Sequence, residues 1–524
     1  MINFVGCLIP SNVMKVIFIA LFVIVVVLYL YCRFSRRGRL FAKIPGPPRW
    51  PLIGNVHNFN LPRDKLFDYL RTLNKTYGDV IASGTLDVTA IHIYNPNDIE
   101  VNVFCTVVTK CTKKYKPYTF LRRWLGDGLL ISNGSKWQER RKLLTHAFHF
   151  DVLRKYARTF ADEAEVFMAA VEKEAVKEQA DVNRLINKTT LRIICSMLIF
   201  VFHTSLETVM GTSMKEDIDS LTTKYLEAIH RIAAALLPRM LNFLLYLDLT
   251  FQMSKHGWEE RAAIKELHQI TKSIIKERKT YVNSDVYKQN ETVKLNKKGR
   301  LAMLDLLIEN EREGKIDVDG IREEVDTFMF RGFDTTSVTM AYLIMLIANN
   351  LDIQIKLYEE MKSIFGDSSR PATIGDLKEM KYLDCCIKET LRLYPAVPYI
   401  VRSITEEIVL GGYVIPADTM CQIHIYDLHR RADLYPDAER FIPERFLPEN
   451  SIDRHLFAYL PFSAGSRNCI GQKFAMLQMK TLMSSLIRKY RLEAVTKSAD
   501  LKFYVDFVLR ADRPIYVRFC PRKL

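Results

Sequence analysis

Pro461-Phe-Ser-Ala-Gly-Ser-Arg-Asn-Cys-Ile-Gly471 is the stretch that decides how the rest of the chain is read. It holds one cysteine, Cys469, bracketed by Gly465 and Gly471, with the fixed cation Arg467 two residues ahead of the sulfur. Glycine suits a backbone that must turn with positive φ or come close to a flat ligand. A thiolate persists where donors or positive charge surround it, and a cysteine thiolate is one of the axial ligands of haem iron. A cysteine taken alone is more often a small buried hydrophobe. The neighbours must therefore decide.

Working outward, Glu389-Thr-Leu-Arg392 lies upstream in an apolar helical pattern, and Phe441-Ile-Pro-Glu-Arg-Phe446 follows about fifty residues later. A Glu–Arg pair at i, i+3 is common on exposed helices and worth only ~0.2–0.5 kcal/mol there. Further back, a long helix is expected from about Val318 to Asn350, with Phe330-Arg-Gly-Phe-Asp-Thr-Thr336 inside it. Glycine in a helix interior costs ~1 kcal/mol relative to alanine, so Gly332 calls for an offset such as a ligand close to the backbone. Thr335 can bond its own preceding carbonyl and open the helix slightly. Trp137 and Arg141 sit one helical turn apart in an otherwise polar segment, and Arg402 follows Pro398 in a β-prone run.

Phe462, Gly465, Arg467, Cys469 and Gly471 together resemble the haem loop of cytochromes P450, F-x-x-G-x-R-x-C-x-G. The order E-x-x-R, P-E-R-F, cysteine loop is also that family's. The resemblance implies a mainly α fold with small β-sheets and noncovalent haem b between the long helix and the loop. Cys469 would ligate the iron, and Trp137, Arg141, Arg402 and Arg467 would serve the propionates. Gly332 would border the porphyrin, and Asp334 and Thr335 would relay protons to dioxygen. Glu389, Arg392 and Arg445 would form a buried network holding the loop. Glu324 to Thr336 resembles the thirteen-residue signature of family-4 members, with one departure. Arg331 stands where that family often has a glutamate able to esterify a haem methyl, and an arginine cannot do that chemistry.

The chain has 524 residues, 75 Lys plus Arg against 60 Asp plus Glu, and a net charge of +15. No segment resembles a nucleic-acid module, so an anionic membrane or an acidic protein partner fits the excess better. Val16 to Cys32 is an uninterrupted apolar run of seventeen residues, followed by Arg33, Arg36, Arg37, Arg39 and Lys43. It can just span a bilayer, whose minimum is ~17–20 residues, and the flanking charge places the body in the cytosol. Residues 1–33 read as an anchor, 34–54 as a stiff proline-rich hinge and 55–524 as the catalytic domain. Ile232 to Phe251 is apolar but holds Pro238, Arg239 and Asp248, and reads either as a surface segment dipping into the bilayer or as a plain helix–helix packing loop. Ala396 to Val401 and Val505 to Leu509 would line an apolar pocket for a lipophile.

The ten cysteines form no C-x-x-C pair, which argues against zinc or dithiol chemistry. No G-x-G-x-x-G fingerprint or flavin segment is present, so electrons must come from a second protein. The resemblance implies NADPH–cytochrome P450 reductase, with cytochrome b5 as a further donor, at the endoplasmic reticulum membrane. Lys473 and Lys480 beside the loop would supply the basic docking face. Two other classes fit a haem-thiolate loop. A peroxide-rearranging isomerase or lyase would turn over without NADPH. A haem-bearing lipophile carrier would shift its spectrum with ligand and form no product.

Overall fold

Apolar residues recur at helical spacing along most of the chain, and helices dominate accordingly. The computed structural model describes residues 11–50, 54–84, 89–100, 114, 116–199, 214–284 and 303–522. The main helices are α1 (Ser11–Phe34), α2 (Arg36–Phe41), α3 (Arg63–Tyr77), α4 (Gly134–Thr145), α5 (Phe150–Ala175), α6 (Val182–Ile199) and α7 (Met214–Leu241). They continue with α8 (Lys255–Val282), α9 (Met303–Arg312), α10 (Val318–Asn349), α11 (Leu351–Phe365), α12 (Ile374–Glu379), α13 (Lys381–Leu393) and α14 (Gln472–Lys489).

The centre is α10. Asp317 caps it by accepting from the Gly320 amide at 2.7 Å. Its side chains are almost all buried from Glu324 to Ile347, because α6, α8, α13 and α14 pack around it. A helix apolar on every face belongs in the middle of a large core. Thr373 to Leu393 holds two helices, where an unbroken helical pattern in the sequence suggests one. The capping box of Thr373 and Asp376 opens α12, but Met380 leaves helical geometry at ψ 72° and α13 starts afresh. Met380 is fully buried, so core packing overrides local helical preference there.

Among the described residues four small sheets flank the helices. β1 (Val80–Gly84) and β2 (Thr89–Ile93) pair antiparallel, as the pattern over Asp79 to Tyr94 suggests. β2 then pairs in parallel with β7 (Thr419–His424), which takes β4 (Tyr399–Ile404) on its far side. β3 (Ala180–Asp181), β11 (Tyr516–Pro521) and β8 (Tyr490–Ala494) make a second sheet. β5 (Ile408–Leu410) with β6 (Tyr413–Ile415), and β9 (Phe503–Val505) with β10 (Leu509–Ala511), form two short ribbons.

Residues 34–50 are not a free hinge. Phe41 and Ile44 are buried in a satellite core with Val80, Ile91, Ile400 and Ile423. Pro45 accepts from the Ala82 amide at 2.8 Å, and the Asn55 side chain donates to the carbonyls of Pro47 and Pro48. Arg36 forks onto Glu407, and Arg37 donates to the carbonyls of Ala417 and Asp418 around the β5–β6 ribbon. The proline-rich segment is thus a strap sewn to the body. Ahead of it, α1 is apolar over Lys15–Phe34 and has none of that stretch buried.

Candidate active site

The cysteine loop is shaped by its own backbone. The Cys469 amide donates to the Phe462 carbonyl at 2.9 Å, and the Asn468 amide to Gly465 at 3.1 Å. Gly465 sits at φ +69°, where a side chain would be strained, and Ser463 takes φ +59° despite its side chain. Gly471 lies at φ −88° as the N-cap of α14 and needs no glycine for its conformation. The positive end of α14 therefore points at Cys469. Burial pushes the Cys469 thiol up, while the Gly471 amide, Arg331 and Arg141 pull the other way.

Cys469 opens into a cavity with about 1440 Å³ of space free of protein atoms, open mouth included. Gly332, Thr335 and Thr336 of α10 form one wall, and Phe462, Cys469 and Gly471 lie on the loop side. Trp137, Arg141, Arg402 and Arg467 line it as well. Nine of the expected site residues thus meet around one cavity.

The cations are held in specific ways. Arg141 donates to the Asn468 carbonyl and side chain at 2.8 and 2.6 Å, tying α4 to the cysteine loop. Arg467 stacks 4.1 Å from the Trp137 ring and donates to the carbonyls of Ser132 and Leu129. Burial, then repulsion from Arg402 and Arg141, lowers the Arg467 guanidinium to about 9. Arg402 donates to Ser463 Oγ and to Val401, while its Nε, fully buried, has no hydrogen-bond partner among the described residues. Lys114 also lines the cavity, its ammonium 4.4 Å from the Tyr118 ring. Burial and three arginines hold its pKa well below the ordinary lysine value. Among the described residues no carboxylate lines the cavity. A thiol sharing one cavity with a cationic rim and an arginine whose Nε is left unpartnered fits a porphyrin with two acid arms.

Gly332 borders the cavity, yet a Cβ there would come within 2.3 Å of Ile194 Cδ1. Close packing of α6 on α10 is thus an offset that the sequence did not suggest. Thr335 donates to the Arg331 carbonyl at 2.7 Å as expected. Asp334 does not line the cavity. It is buried and clasped by Arg510 at 2.9 and 3.0 Å, and Arg510 is held in turn by Asp506 at 2.7 Å. Burial raises the Asp334 pKa, and Arg510 opposes the shift. Of the two expected pocket strands, only Ala396, Val397 and Ile400 reach the cavity, not Val505 to Leu509. Leu509 instead donates its amide to Ala396 and supports that segment from behind.

The buried network is complete. Glu389 accepts two bonds from Arg392 at 2.7 and 2.8 Å and one from the Ile442 amide at 2.9 Å, with Arg445 at 3.4 Å. Arg392 also donates to the carbonyls of His429, Ala438 and Arg440. His429 Nε2 then accepts from the Leu460 amide at 2.8 Å, directly before the loop. Lys480 is not a docking residue. It is buried, paired with Asp384 at 2.8 Å and donating to the Leu377 carbonyl. Lys473 is exposed, as is Lys142 on α4.

The fold and the loop define a haem-thiolate protein. The cytochrome P450 family model matches residues 44–519, and the chain belongs to that family. It is 35% identical to cytochrome P450 4c3 of Drosophila melanogaster, covering 95% of this chain and 93% of that protein. It is also 35% identical to human cytochrome P450 4V2, over 93% of this chain and 91% of the relative. Identity to the probable cytochrome P450 4ac1 of Drosophila melanogaster is 37%, over 92% and 90% of the two chains. The protein is a haem-dependent monooxygenase with family-4 relatives, and its haem b is noncovalent.

Proposed function

We propose that this chain is a membrane-anchored monooxygenase that hydroxylates lipophilic substrates with dioxygen, using electrons from NADPH–cytochrome P450 reductase. The observation that carries the reading is the placement of Cys469 opposite Gly332 and Thr335 across a cavity rimmed by cations. When bound, haem supplies dioxygen activation and oxidation of a C–H bond. The chain's own share is binding, orientation and proton delivery.

Cys469, held against the Gly471 amide and the start of α14, would give its sulfur to the iron. Arg141, Arg402 and Arg467 would hold the two acid arms. Thr335 gives its own proton to the Arg331 carbonyl, so Oγ1 keeps its lone pairs to accept from water in the cavity. Asp334, one residue back, is the acid of the relay, and Arg510 sets its charge. Val397, Ile400 and Phe328 supply apolar walls against which a lipophile packs.

Membrane attachment is supported at two places. α1 supplies a spanning helix. Leu244, Leu247, Leu249 and Met253, between α7 and α8, are exposed apolar side chains suited to the lipid interface. Lys473 and Lys142 are the exposed cations nearest the cysteine loop in sequence and on α4, and they suit an acidic reductase.

The test is spectroscopic. The reduced, carbon-monoxide-treated protein should show the long-wavelength Soret band of a thiolate-ligated haem, and Cys469→Ser should lose it. Wild-type protein with reductase and NADPH should oxidise members of a fatty-acid and terpenoid panel. Absence of the band in wild-type protein, or of any product, overturns the reading.

A further inference from the structure

Among the described residues five cations line the cavity, Lys114, Arg141, Arg331, Arg402 and Arg467, and no acid does. Four have company near the loop. Arg141 and Arg467 bond backbone carbonyls, Arg402 bonds Ser463, and Lys114 lies over Tyr118. Haem brings two carboxylates, which these four can satisfy.

Arg331 differs in place and in partners. It stands on α10, one helical turn before Thr335. Among the described residues its guanidinium has no ion pair or hydrogen bond, and it lies 5.5 Å from the Phe330 ring. It shares the cavity with Thr327 and Phe328 of the same helix and with Met197 of α6. Arg331 is half-buried and lies within electrostatic reach of Lys114 and Cys469, so it adds to a positive field that an anion entering the cavity would meet.

We propose that Arg331 is a specificity-determining residue that binds the carboxylate of an amphipathic substrate inside the cavity. The proposal rests on the monooxygenase reading and deepens it. Four residues of helix at 1.5 Å each put Arg331 and Thr335 only ~6 Å apart along the axis. The acid end of the substrate is therefore held close to the oxygen-activating groove. Oxidation falls within the first few carbons from the carboxylate, and the hydrocarbon tail points away.

The experiment titrates full-length holoenzyme with dodecanoic acid, its methyl ester and dodecanol, following the spectral shift on binding. Wild-type protein should bind the acid roughly ten- to a hundredfold more tightly than the ester, the range of one charge-assisted hydrogen bond. Arg331→Gln should abolish that preference while keeping its haem and its affinity for the alcohol, and Arg331→Lys should retain part of it. With reductase and NADPH, wild-type product should carry oxygen near the carboxyl end. Equal affinity for acid and ester in wild-type protein overturns the proposal, as does product confined to the far terminus. Haem loss in Arg331→Gln with an unchanged acid-to-ester ratio also overturns it, since Arg331 would then serve the porphyrin. A wild-type protein lacking the thiolate band removes the monooxygenase reading itself, and the proposal with it.

Discussion

His429 can accept the Leu460 amide only as a neutral imidazole. Burial, with Arg392 and Arg430 nearby, pushes its pKa down to about 3 from the ordinary 6.5. A histidine held neutral in the fold contributes stability above about pH 6.5, which is lost as pH falls toward 3 because the unfolded chain binds the proton first. Thermal stability should drop by ~1.4 kcal/mol per pH unit below that point from this group alone. His92, also buried and lowered, adds to the slope with the same sign. Midpoints measured from pH 7 to 5 should fall less steeply in His429→Gln; an identical slope refutes the assignment. Glu389→Ala leaves Arg392 buried without its carboxylate, a change that costs ~3–5 kcal/mol. The expected outcome is protein lacking bound haem, read from the ratio of Soret to protein absorbance. Cys469, Arg467, Glu389 and Arg392 were legible because their spacing within short runs is distinctive. His429, Ser463 and Lys114 were not, because each works through a partner tens or hundreds of residues away.

At the scale of elements, α6 and α10 approach through Gly332 and Ile194. Gly332→Ala gains helix propensity, up to ~1 kcal/mol, but drives its methyl into Ile194 Cδ1. Overpacking of this kind costs ~1–3 kcal/mol. The single variant should be neutral to destabilised, and adding Ile194→Val, which removes the clashing atom, should recover the loss. A double-mutant cycle by thermal melting should give a coupling of ~1 kcal/mol; strict additivity would mean that the two side chains do not meet. The length of α10, expected from about Val318 to Asn350, was readable from sequence and differs by one residue at its end. The break at Met380 was not, since nothing local distinguishes that methionine from its helical neighbours. Nor was the pairing of β2 with β7, which joins residues more than three hundred apart through side chains any strand could carry.

For the whole molecule, α1 and the strap behave differently on removal. α1 buries nothing of its apolar stretch, so a chain starting at Ser35 should keep its haem and its melting midpoint. A chain starting after Trp50 lacks Phe41 and Ile44 from the satellite core. Burying such a side chain is worth ~1.5–3 kcal/mol, so that truncation should melt several degrees lower, as calorimetry would show. The apolar run of α1 was evident from sequence, but the strap read as a stiff hinge because its prolines suggest stiffness and say nothing of what they touch.

The strap also has a history during synthesis. Arg36 emerges from the ribosome 371 residues ahead of Glu407. At ~5–20 residues per second the delay is roughly 20–75 s. During it Phe41, Ile44 and Pro45 can already settle against β1 and β2. The fork of Arg36 onto Glu407 is therefore among the last of the strap's contacts to close, when the β5–β6 ribbon folds back onto chain made at the start of translation.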